Sequence, residues 1–281
     1  MKSILSADFA RLKRDKFFWL SVAAMLIFTV YMIVNRYSPD YLDDLNYFSH
    51  WHYYYFDAVE AIEFLCALFI ALYIGKDLDS KAIRNKVIAG HSKTRIYLSY
   101  LITSAAGGAV IYIAMLIGGL VAIPLFGVHI ESRINIGVYI LIGFAATLSI
   151  SAVYTFIAAI SGSRVKALII SIVIAFAAFF IFAIINSALW EPEFSDHHYS
   201  FDGVEWTEII GETPNPRYVS GALRTFLQYI SEFFPAGNIS LVRSNYTVMV
   251  VNPIREIALS LLFTIATTIG GIFAFCKKDI K

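Results

Sequence analysis

The chain has 281 residues, of which 58% are hydrophobic and only 15% are charged. A soluble globular domain has about 25% charged residues, so the composition argues against a water-soluble enzyme and indicates a membrane protein. The formal net charge of +1 does not point to a nucleic-acid partner, because a membrane protein sorts its charges by side.

The first predicted element is a helix over residues 3–16, SILSADFARLKRDK. Leu5, Phe9 and Leu12 lie at i, i+4 and i+7 and therefore share one helix face, while basic residues fill much of the remainder. Such a helix is typical of a segment that lies among the lipid headgroups with its apolar side toward the bilayer. The same charges would also suit an ordinary basic flank of the first membrane span.

Six apolar runs are long enough to cross a bilayer, which requires about 20 residues. They predict an all-α polytopic membrane protein. The runs are approximately residues 17–34, 58–75, 96–126, 136–161, 166–189 and 254–276.

The distribution of Lys and Arg predicts the orientation of the spans. If the N-terminus is cytoplasmic, 16 of the 22 Lys and Arg residues lie on the cytoplasmic side, as the positive-inside rule requires. Six spans return the C-terminus to that side. We therefore expect a multi-pass protein of the plasma membrane with both termini in the cytoplasm.

A short basic helix is predicted over residues 79–90, between the second and third spans. Asp79 or Ser80 is expected to cap its start, and Gly90 is expected to end it, because glycine tolerates the left-handed conformation. A helix of about three turns is marginal alone, so it needs a surface to dock on. That surface is either anionic lipid or a groove on another protein.

The outer segment, residues 190–253, contains eight acidic residues and three arginines and is too long for a simple connection. Within it, ALRTFLQYISEFF predicts an amphipathic helix that ends at PAGN, Pro235 to Asn238. This helix either lies on or dips into the outer membrane surface, or belongs to a small folded cap.

Charged residues near the outer membrane surface are candidates for specificity. Glu60 and Glu63 share one face of the second span, and Arg255 opens the sixth span from the same side. They predict either a structural clamp with Arg255 or a site on the substrate path that attracts cations. The histidines in HWHYYYF (50–56) and HHY (197–199) fix no fourth ligand, so no metal site is predicted.

Taken together, these elements resemble the permease subunit of exporter-type ABC transporters, the type-2 ABC permeases. The closest sequence similarities are RNKVIAGHSKTRIYLSYLI (84–102) and EFFPAGN (232–238). The resemblance implies that the 79–90 helix is a coupling helix that sits in a cleft of an ATPase subunit. Its apolar contacts would be Ile83, Val87 and Ile88, and its polar contacts Arg84 and Lys86.

The resemblance also implies the partners. ATP and Mg²⁺ would be bound by the ATPase, since this sequence has no G-x-x-x-x-G-K-[ST] loop and the permease itself is not expected to be an enzyme. A second permease, identical or related, would complete a transporter that works by alternating access. Two other functions stay open: an ion-coupled secondary transporter, and a non-transporting sensor or immunity partner.

Overall fold

A computed structural model describes residues 1–36, 55–125, 136–201, 206–244 and 252–279. The described residues form ten α-helices and one two-stranded β-hairpin. The helices are α1 (Lys2–Lys13), α2 (Lys16–Arg36), α3 (Ala61–Asp79), α4 (Ala82–Ile88), α5 (Lys93–Leu125), α6 (Ile136–Ile160), α7 (Arg164–Trp190), α8 (Gly221–Phe233), α9 (Pro235–Ser244) and α10 (Pro253–Lys277). The hairpin consists of β1 (Phe194–Phe201) and β2 (Trp206–Pro214).

Six helices of the described chain are long and apolar enough to cross a membrane: α2, α3, α5, α6, α7 and α10. The span that contains α3 begins with a 3-10 turn, Asp57–Glu60. The prediction of an all-α polytopic membrane protein with six spans is therefore confirmed.

The centre of the bundle is α3, which packs against α2, α5, α6 and α7. Most of its side chains are buried in one continuous apolar core. The small residues of α5 permit this close packing: a methyl group added at Gly107 would lie 2.6 Å from the ring of Phe69 on α3. In contrast, α2, α7 and α10 expose large apolar side chains such as Ile27, Ile184 and Ile269, as helices that contact lipid do.

The two ends of the bundle differ in the elements that they hold. One end, called here the basic end, carries α1, α4, the turn between α6 and α7, and residues 277–279. Lys278 closes this end by donating from Nζ to the carbonyl oxygens of Ala159 (3.0 Å) and Ser161 (2.5 Å). The opposite end carries the 3-10 turn, the hairpin, α8 and α9.

The N-terminal helix lies close to its predicted position but turns a different face inward. Ile4, Asp8 and Leu12 are buried against the bundle, and Phe9 packs on the same core. Phe9 and Leu12 therefore contact the bundle and not the expected lipid, whereas a lipid contact of the partly buried Leu5 stays a prediction. The buried face also contains a charged residue, which a helix lying on hydrocarbon would avoid.

The outer segment differs from its prediction in two ways. The antiparallel β-hairpin was not predicted, and the helix predicted over 222–234 does not simply stop at PAGN. Instead Phe234 takes an extended conformation and Pro235 begins a second helix, α9. Residues 235–242 are buried in the bundle beside α6 and α7, so α8 and α9 form a helical pair that enters the membrane domain.

Candidate functional site

The short helix α4 is present, although its start differs from the prediction. Because α3 continues to Asp79, neither Asp79 nor Ser80 caps α4. Lys81 precedes α4 in a left-handed conformation (φ 54°) that turns the chain sharply between the two helices. The end is as predicted, since Gly90 has φ +86° and His91 N–H donates to the Lys86 carbonyl at 3.1 Å.

Below α4 lies a buried network of charges that the sequence analysis missed. Lys86 Nζ, on α4, lies 2.8 Å from Asp8 Oδ1 of α1 and 2.9 Å from Asp77 Oδ2 of α3. The Tyr100 hydroxyl donates to Asp77 at 2.6 Å, and the Ser99 hydroxyl donates to Asp8 at 2.6 Å. The network therefore joins α1, α3, α4 and α5 at a single point.

Arg11 supplies the second positive charge of this network. It pairs with Asp77 and stacks over the Tyr73 ring, with its guanidinium carbon 4.1 Å from the ring centroid. Two carboxylates thus face two cations, which leaves the buried group close to neutral. Removal from water lowers the pKa of Lys86, and the hydrogen bond to Asp8 opposes this shift by stabilising the ammonium form.

A second set of contacts fixes the elements around α4. The Asp15 carboxylate caps α2 by accepting from the backbone N–H of Phe17 at 2.9 Å, and it also pairs with Lys76 of α3. Asp79 at the end of α3 accepts from the backbone N–H of Arg164 at 3.2 Å, where α7 begins. These contacts join the start of α2, the end of α3 and the start of α7 into one layer at the basic end.

The predicted coupling residues divide between two faces of α4. Val87 and Ile88 are 37% and 73% exposed, and Arg84 is exposed beside them. Ile83 is buried in the core, and Lys86 points into the charged network. The expectation that Ile83 and Lys86 touch a partner directly is therefore corrected: they fix α4 to the bundle. For Arg84, Val87 and Ile88 a partner contact stays a prediction.

The charges at the opposite end pair differently from the predicted clamp. Glu60 accepts from Arg243 Nη1 of α9 at 2.8 Å, and Arg255 Nη2 lies 2.5 Å from Glu232 Oε1 of α8. Sequence spacing suggested Arg255 as the partner of Glu60 or Glu63, but α9 enters the bundle and brings its own arginine to Glu60. These two ion pairs hold the α8–α9 pair against α3 and α10.

Glu63 lies deeper in the bundle than Glu60. It is 7% exposed, and the only donor recorded for it among the described residues is the Tyr154 hydroxyl of α6, at 3.1 Å. Glu63 also lines a cavity of about 410 Å³ between α6, α7 and the α8–α9 pair. Apart from Glu63 and Tyr154, the lining is formed by apolar side chains, among them Ile150, Phe182 and Phe234.

Several further polar residues at this end were not identified from the sequence. Glu232, Asn238 and Glu256 are completely buried. Within the described part of the chain, four of their acceptor oxygens have no donor: both of Glu256, Oε2 of Glu232 and Oδ1 of Asn238. Glu256 was visible in the sequence next to Arg255, but its burial follows from the packing of α8 and α9 over the start of α10.

The histidine motifs contribute no described site. His50 and His52 lie outside the described residues, and the structure gives no account of the side chains of 197–199. Among the residues that are described, no group of three or more His, Cys, Asp or Glu side chains is arranged to hold a metal ion. The two cysteines are unpaired thiols, with Cys66 buried and Cys276 exposed.

The sequence of the chain matches a known protein family. A family model described as ABC-2 family transporter protein matches residues 4–185, from α1 almost to the end of α7. The matched region contains α4, every residue of the charged network and Glu63. No curated protein matches the chain.

Proposed function

Because the chain belongs to the ABC-2 family of transporter proteins, we propose that this membrane permease serves an exporter driven by a separate ATPase subunit. The observation that carries the proposal is the outward face of α4. Val87 and Ile88 form a small exposed apolar pair with Arg84 beside them, on a helix held by the bundle from below. A helix this short is marginal alone and needs a surface to dock on, and its exposed apolar pair would meet that surface.

The charged network would transmit movement from that contact into the membrane. A push on α4 reaches α1 through Asp8, α3 through Asp77 and α5 through Tyr100. In α3, Asp77 is separated from Glu63 by about 21 Å, at the 1.5 Å rise per residue of an α-helix. Movement at the basic end would therefore reach the apolar cavity through one rigid helix.

The orientation proposed from the sequence places the basic end in the cytoplasm. It requires Asn85 and Ser220, exposed residues at opposite ends of the bundle, to face opposite sides of the membrane. Each can be changed to cysteine in a Cys276→Ser background, since Cys66 is buried. An impermeant maleimide added to intact cells should label the cysteine at 220 and not the one at 85; the reverse pattern would refute the orientation.

The proposed working unit contains two permeases, as two copies or as one copy with a related chain, together with two ATPase subunits. ATP and Mg²⁺ would be held by the ATPase subunits. Closure of the ATPase pair would tilt the two bundles and open a central path outward in the plasma membrane. The direction of transport follows from the resemblance to exporters.

The proposal is tested by purifying the tagged chain from its native membrane and assaying ATP hydrolysis in the eluate. Val87→Asp combined with Ile88→Asp places two charges on the outward face without touching the network. Val165→Asp is the control, because Val165 is 64% exposed at the same end but belongs to α7.

We expect the unmodified chain and the control to retain a nucleotide-binding subunit and the double variant to lose it. Retention by all three, or absence of an ATPase from the unmodified chain, would contradict the proposal. In that case α4 would be a helix that binds lipid headgroups.

A further inference from the structure

The apolar cavity beside Glu63 has the dimensions of a small-molecule site. Its volume of about 410 Å³ falls within the range of about 300–1,000 Å³ that is usual for such sites. Its walls come from α6, α7, α10 and both members of the α8–α9 pair, where Phe234 and Pro235 mark the break between the two helices. A site of this kind binds the apolar body of a ligand and uses few polar groups to orient it.

Among the residues that the structure describes, Glu63 is the one acidic residue that lines the cavity. Glu60 and Glu232 at this end are paired with Arg243 and Arg255, and Glu256, which is also buried here, does not line the cavity. The donor recorded for Glu63 in the described part of the chain is a neutral hydroxyl, that of Tyr154. A carboxyl group at membrane depth without a cation is costly and usually marks a functional position.

The combination of a single acid and an apolar cavity selects a class of ligand. A cation with an apolar body would bury that body against Ile150, Phe182 and Phe234 while its charge neutralises Glu63. A neutral hydrocarbon or an anion would leave Glu63 without a cation. A molecule with several separated charges would place the additional charges against apolar walls.

We propose that this cavity binds an amphiphilic monoamine, with its ammonium group at Glu63 beside the Tyr154 hydroxyl. This proposal rests on the proposed function only for the role of the ligand. In a working exporter the bound amine would be the transported substrate. Binding itself requires only the folded permease, so it is expected to persist in the Val87→Asp, Ile88→Asp double variant.

The test uses two cage compounds of the same shape, 1-adamantanamine, which is a cation at neutral pH, and 1-adamantanol, which is neutral. Binding of each radiolabelled compound to the purified full-length permease is measured by equilibrium dialysis. Glu63→Gln should weaken binding of the amine at least tenfold, equivalent to about 1.4 kcal/mol, and leave binding of the alcohol unchanged. Glu60→Gln, which alters an acid already paired with Arg243, should change neither affinity.

A second variant tests the cavity independently of the charge. Ala178→Trp fills the space that Ala178 lines and should abolish binding of both compounds. The proposal is overturned if the unmodified permease binds no amine, if Glu63→Gln binds the amine as well as before, or if Glu63→Gln loses both compounds equally. If no ATPase co-purifies, the proposed function is refuted. Binding of the two compounds can still be measured with the purified permease alone, so the two failures are distinguishable.

Discussion

Removal of the Lys86 charge should destabilise the whole basic end. The Lys86 ammonium group contacts Asp8 at 2.8 Å and Asp77 at 2.9 Å, and these carboxylates are only 3% and 7% exposed. Lys86→Met keeps most of the side-chain volume but leaves two buried carboxylates with Arg11 as their remaining cation.

The expected loss can be estimated from the burial. Breaking a buried ion pair by removing one partner costs about 3–5 kcal/mol, and the remaining Arg11 together with the 18% exposure of Lys86 favours the lower value. For a chain of this size, about 3 kcal/mol corresponds to a fall of about 6–12 °C in the unfolding temperature.

The assay is thermal unfolding of the purified permease, followed by intrinsic fluorescence, with Lys81→Met as the matched control. Lys81 is an exposed neighbour, so its replacement should change the unfolding temperature by no more than about 1–2 °C, as for a typical surface substitution. Asp8→Asn combined with Lys86→Met should recover part of the loss, because one uncompensated charge is removed. If Lys86→Met and Lys81→Met unfold at the same temperature, the network does not fix α4 to the bundle.

Three further stability predictions use the same assay. Glu256→Gln should not lower the unfolding temperature, since among the described residues neither oxygen of this fully buried carboxyl group has a donor, whereas Glu232→Gln should lower it by breaking the pair with Arg255; the opposite order would refute this. Gly237→Ala should cost about 2 kcal/mol, because its methyl group would lie 2.2 Å from a backbone carbonyl oxygen of α8. Gly90→Ala should cost about 1 kcal/mol through its left-handed conformation alone. An unchanged unfolding temperature in Gly237→Ala would contradict the close packing at Gly237. The same result in Gly90→Ala would contradict the backbone strain expected at Gly90.

Much of the architecture could be predicted because hydrophobic length and charge are local properties of the sequence. The six spans follow from run length, and the position of α4 follows from its charges and Gly90. The outward direction of Ile88 and the inward direction of Lys86 could not be predicted in this way. They depend on the sharp turn at Lys81, which rotates α4 relative to α3.

The site residues that were missed depend on tertiary contacts. Asp8 and Asp77 stand 69 positions apart, as their numbers show, and only the packing of α1 across α3 and α5 brings them to one lysine. Likewise, the pairing of Glu60 with Arg243 requires that α9 enter the bundle. Amphipathic spacing within 222–234 predicted α8 but gave no signal for the second helix that begins at Pro235.

The most direct test of the central claim is site-specific photo-crosslinking from α4 in native membranes. Benzoylphenylalanine at position 88, which points outward, should crosslink to a nucleotide-binding subunit. The same group at position 165, which is exposed at the same end but belongs to α7, should crosslink to lipid and not to that subunit. A crosslink from position 88 to lipid alone would contradict the account and show that α4 contacts the membrane surface.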